Sequence, residues 1–144
     1  MTNKDTLCLL KECDSGTKMA VSSIDEILEK TKDSKLKQLL SETKDHHEKL
    51  GNEIHSLLIK SGSKDQEPTP MAKGMSWLKT STKLAVSPAD ETVADLITDG
   101  CNMGVKSLIR YRNRYPNASE TARQIAGQLI DSEQLLCKSM QPYL

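Results

Sequence analysis

Two apolar stripes that turn polar at the same relative position constrain this chain more than any other feature. Leu7, Leu10, Asp14, Thr17, Val21, Ile24 and Leu28 follow alternating steps of three and four. Leu36, Leu40, Thr43, His47, Leu50, Ile54 and Leu57 do the same. That spacing is one face of an α-helix, and each stripe becomes polar near mid-helix. Two later helical segments carry Gly100, Gly104 and Ser132 near their own midpoints. Helices of similar length, packed antiparallel, bring such midpoints to one level. A polar or small layer inside a bundle is where proteins of this shape hold metals or ligands.

Composition agrees with helix packing. Among 144 residues there is no Phe, one Trp and three Tyr, so the core must be built from Leu, Ile, Val, Met and Ala. The length suits a single domain over residues 1–144. Lysine plus arginine and aspartate plus glutamate are 20 each, which leaves no overall field to select nucleic acid or an anionic membrane. Cys8, Cys13, Cys101 and Cys137 form no CxxC pair. Cys8 and Cys13 stand about 140° apart around a helix and cannot bridge. The expected setting is a reducing cytoplasm, and no apolar run approaches the roughly 20 residues of a membrane span.

Start and stop signals divide the chain. Thr2 with Asp5 resembles a capping pair, and Asp33 or Ser34 can cap a second helix. Gly62 supplies a left-handed stop. Ser87-Pro88-Ala89-Asp90 reads as cap, first-turn proline and acid, while Pro116 stops a helix and Asn117 with Glu120 forms another capping pair. The spacing predicts helices at about 4–31, 34–61, 89–115 and 118–141. Helices one and two, and helices three and four, are tightly joined, and each of these pairs forms an antiparallel hairpin. The crossover at about 62–87 is too long for a structureless loop. Met71, Met75, Leu78 and Thr82 recur at helical spacing in it. They predict a short extra helix, with Trp77 as a plug against the bundle.

The fold class expected is therefore all-α: an up-down four-helix bundle with one long crossover, the connection pattern of ferritin-like folds. Pro70-Met71-Ala72-Lys73-Gly74-Met75-Ser76-Trp77 and Asp99-Gly100-Cys101-Asn102-Met103-Gly104 resemble an uncharacterised bacterial family of ferritin-like four-helix-bundle proteins, a domain of unknown function. That resemblance implies the fold and says little of activity.

Ferritin-like oxidases and iron stores carry a glutamate on each of two helices and Glu-x-x-His on the other two, carboxylate and imidazole donors that suit iron or manganese. This chain departs from the pattern. The residues three before His46 and His47 are Thr43 and Lys44, and Glu42 with Asp45 is the one carboxylate pair at that step in helix two. Asp131-Ser132-Glu133-Gln134 places glutamine where histidine is needed, and Glu12 lies off the stripe that carries Asp14. Asp14, Glu42, His46, His47 and Asp131 remain weak metal candidates. A mononuclear site from Asp14, His47 and a third ligand competes with a plain structural reading, in which Asp14 pairs with His47 or Thr43 or turns to the bundle edge.

Other features have ordinary explanations. Gly100 and Gly104 suggest the close approach of another helix, with a ligand cavity as the alternative. Lys106, Arg110, Arg112 and Arg114 complement the end of a helix dipole and do not make a nucleic-acid stripe on a neutral chain. No nucleophile–His–acid set, phosphate loop or cysteine metal cluster is present in the sequence. The expectation is a non-catalytic bundle that acts by protein interaction or small-ligand binding, as a monomer or weak homodimer. The alternative is an iron- or manganese-dependent redox or metal-handling protein with an irregular central site.

Overall fold

The computed structural model describes residues 2–63 and 89–144. Four helices dominate it: α1 (Lys4–Leu28), α2 (Ser34–Lys60), α3 (Asp90–Arg114) and α4 (Glu120–Ser139), followed by a 3-10 turn at Gln141–Tyr143. Among the described residues there is no strand. The expected crossover helix and the Trp77 plug lie outside the described residues; the expected Ser87 cap is corrected, because α3 starts at Asp90 with Ala89 at its N-cap and no side-chain cap bond.

The helix ends follow local chemistry, with two further corrections to the expected caps. Asp33 caps α2 by accepting the Leu36 N–H, as expected. Helix α1 is capped by Asn3, which accepts from Thr6, and α4 by Ser119, which accepts from Ala122. Thr2 and Asn117 do not serve as the caps: the Thr2 hydroxyl lies 3.0 Å from Ser61 Oγ within the first hairpin, and the Asn117 backbone bonds Asn3 and Asp5 across the hairpins. Helix α2 stops at Gly62, whose φ of 76° is open to glycine. Gly62 N–H donates to Ile59 O and Ser63 N–H to Leu58 O, which satisfies carbonyls that the helix end leaves over.

Long-range hydrogen bonds fix the helix directions. The Asp90 carboxylate, at the start of α3, accepts the Lys32 and Asp33 amides of the α1–α2 turn at 2.8 and 3.0 Å. At the other end Asp5 accepts the Asn117 amide at 2.9 Å, and Thr6 Oγ1 accepts the Ser119 amide at 2.8 Å. Helices α1 and α4 therefore run one way and α2 and α3 the other. Each hairpin is antiparallel, but α2 and α3 are parallel, so the chain leaves α2 at one end of the bundle and enters α3 at the other. A helix of this length spans about 38 Å. The up-down alternation thus holds inside each hairpin and not across the crossover.

The core is split. One cluster, near the α3–α4 turn, contains Leu9, Leu10, Leu50, Ile54, Leu108 and Leu129 among others. A second, near the α1–α2 turn, contains Ile24, Ile27, Leu36, Leu40, Ile97 and Met140. Thr17 on α1, His47 on α2, Gly104 on α3 and Glu133 on α4 fall in sequence between the two sets, and all four are buried. The polar mid-helix level implied by the stripes is present.

Candidate functional site

His47 occupies the α2 stripe between Leu40 and Leu50 and is 1% exposed. Its Nδ1 lies 2.9 Å from the Thr43 carbonyl oxygen one turn earlier. A carbonyl oxygen only accepts, so Nδ1 carries a proton and donates. The other ring nitrogen, Nε2, points across the bundle to Glu133 Oε1 at 3.9 Å. That separation allows electrostatic attraction but exceeds a hydrogen bond.

Glu133 is 4% exposed and sits on the same stripe as Ile125, Leu129, Ile130, Leu136 and Met140, at helical steps of three and four. Burial pushes its carboxyl above the ordinary carboxylate range, and the facing His47 opposes that in part. Within the described residues, neither His47 Nε2 nor Glu133 Oε2 has a hydrogen-bond partner. Buried polar atoms normally have one, so this pair is a chemical anomaly of the interior.

Gly104 makes room for the anomaly. A Cβ built there would stand 2.8 Å from Glu133 Cδ and 2.9 Å from Oε1, closer than atoms of different residues pack. The close approach expected at this glycine is therefore made by a carboxylate side chain. Cys13, fully buried, feels the same environment: burial first, then Glu12, Asp14 and Glu133, push its thiol up to about 12. Cys101 is likewise raised, by burial and then by Glu133 and Cys137. Neither is a competent nucleophile at neutral pH.

His47 also reaches a groove of about 570 Å³ between α1 and α2, whose walls include Asp14, Thr17, Lys18, Gly51 and His55. Asp14, although buried, pairs with the largely exposed Lys18 at 2.8 Å. Its expected partner, His47 or Thr43, is thus replaced by a lysine one turn along its own helix. Gly51 lets α2 approach Thr17, whose Oγ1 would lie 3.4 Å from an added Cβ. Lys44 bridges Asp25, on the groove wall, to Glu48.

Of the sequence candidates, Asp14 and His47 are brought to the central level. Glu42, His46 and Asp131 are exposed. Glu42 accepts from Gln38 at 3.0 Å, and with His46 it lines a separate shallow groove of about 250 Å³ between α2 and α4. Among the described residues no group of three or more His, Cys, Asp or Glu side chains is placed to hold a metal ion. Glu-x-x-His spacing on the fourth helix draws attention to Asp131 and Gln134 and passes over Glu133, whose place on the apolar stripe is the available signal. Glu12, read as off the stripe, is also buried.

Comparison with protein-family models, curated proteins and solved structures found no match. Among the described residues no helix is long and apolar enough to cross a membrane.

Proposed function

We propose that this protein is a non-catalytic, ferritin-like helical bundle that binds a small polar ligand in the groove between α1 and α2. The observation that carries this reading is the continuity of the groove with His47, a buried side chain whose Nε2 lacks a protein partner. The groove is of the size that ligand sites usually have, and its walls are mostly polar and charged, with Val21 among them as an apolar side chain. Parallel α2 and α3, joined across the length of the bundle, support the ferritin-like assignment. The deeply buried thiols and the lack of a nucleophile–base set among the described residues favour binding over chemistry.

The test is amide NMR of the full chain against a mixed set of small polar metabolites. Binding should shift Thr17, Gly51 and Asn52 together, and Asn52→Trp, an exposed wall position, should abolish those shifts without unfolding the bundle. A set that moves none of these amides contradicts the reading.

A further inference from the structure

Helix α3 divides its charges by halves. Glu91, Asp95 and Asp99 follow one another at four-residue steps, and Lys106, Arg110 and Arg114 do the same further on. Residues four apart share a helix face, and like charges at that spacing repel. The helix dipole favours acids in the first turn and bases in the last, and its effect fades within a turn. It accounts for Glu91 and Arg114, but not for Asp99 and Lys106, which stand near mid-helix. Those two are exposed, as are Glu91, Arg110 and Arg114. Among the described residues Glu91, Asp99, Lys106 and Arg110 form no ion pair with their own chain. Between the two halves lie Asn102 and Met103, both exposed, Met103 by 46%.

A second copy of this helix, laid antiparallel, complements the pattern. A two-fold axis between Asn102 and Met103 sets residue 99 opposite 106, 95 opposite 110 and 91 opposite 114. At about 100° per residue, Asp99 and Lys106 then fall on the contact line, the half-buried Asp95 and Arg110 beside it, and Glu91 and Arg114 at its flanks. Every pairing joins an acid to a base, and the two Met103 side chains meet near the axis. In a parallel arrangement each acid would meet an acid. We infer that this face of α3 is a homodimer interface, in which Asp99 of each chain faces Lys106 of the other. A two-fold contact brings one patch against itself, and a face that is acidic in one half and basic in the other satisfies that demand in one direction only. One helix from each chain buries less than the roughly 1,200 Å² of a standard interface, so the dimer is weak. Its exposed pairs are screened by salt, over a Debye length of about 8 Å at physiological ionic strength. The interface shares no residue with the α1–α2 groove and stands independently of the ligand reading.

Sedimentation of the full chain over a concentration series, at low and at high salt, tests this. Wild type should dimerise at low salt and dissociate as salt is added. Asp99→Lys and Lys106→Asp should each weaken self-association by at least about tenfold, with the helical circular dichroism unchanged, since both positions are exposed. Mixing the two variants sets lysines on one chain against aspartates on the other, so a heterodimer should form where neither variant pairs with itself. The chain carrying both exchanges should recover wild-type association within about threefold. A wild type that stays monomeric at every concentration in low salt overturns the inference and leaves the face to a different partner. Association that neither reversal weakens overturns it, as do reversals that weaken it without recovery in the mixture.

Discussion

Gly104 on α3 and Glu133 on α4 are fitted to one another: the carboxylate occupies the space that any side chain at 104 would need. An alanine there has a helix propensity better by about 1 kcal/mol. Overpacking a buried site typically costs about 1–3 kcal/mol, so Gly104→Ala should be net destabilising. In a Glu133→Ala background the collision is gone, and the same substitution should stabilise by about 1 kcal/mol. Denaturant unfolding of the four members of this cycle checks the change of sign.

Glu133 should also shape the pH dependence of stability. Burial raises its carboxyl above the ordinary 4.5, so the folded state binds that proton more tightly than the unfolded chain does. The stabilising contribution is complete below 4.5 and is lost as pH rises through the elevated folded value. The titratable groups that interact with it are His47 on α2, Cys13 on α1 and Cys101 on α3, and both thiols stay protonated throughout. Wild type should therefore lose stability relative to Glu133→Gln as pH is raised from 4.5 towards neutrality, as measured by urea unfolding at a series of pH values. A constant difference would show that the carboxyl is not buried.

The two stripe residues should respond unequally to substitution. Asp14 pairs with a lysine that is mostly in water, so Asp14→Asn should cost less than about 1 kcal/mol. His47→Leu leaves the Glu133 carboxylate facing hydrocarbon, which is expensive for a buried charge. It should cost more than about 1 kcal/mol, a gap that thermal and chemical unfolding can resolve.

Cysteine reactivity should divide by burial. Cys8 and Cys137 are partly exposed, and Cys13 and Cys101 are buried. Alkylation of the native protein should label the first pair and spare the second until denaturant is added, as mass spectrometry of the digested protein will show. Rapid native labelling of Cys13 would contradict the closed core.

The fold was legible in the sequence because it rests on local and periodic signals. Asp33 and Gly62 end their helices as their chemistry dictates. The polar breaks at Thr17 and His47 mark the level where the core divides. What stayed hidden depends on partners distant in sequence. Asp5 is not part of a local capping pair, because it accepts the Asn117 amide across the bundle. Asp14 looks like a lone buried acid until Lys18 closes over it. Gly104 reads as a helix contact, and only the packed structure reveals that a carboxylate from α4 fills the gap. Glu133 itself was readable from its stripe, yet a search for metal-ligand spacing passes over it.

The central claim is that His47 and Glu133 face each other in a buried layer between the hairpins. It is tested most directly by nitrogen-15 NMR of the histidine side chains in wild type and Glu133→Gln. The account predicts a slowly exchanging Nδ1–H on His47, held by Thr43, and an Nε2 resonance that moves when Glu133 loses its charge. The exposed His46 and His55 should be unaffected by that substitution. A His47 ring that exchanges as fast as those two and ignores Glu133→Gln would contradict the account.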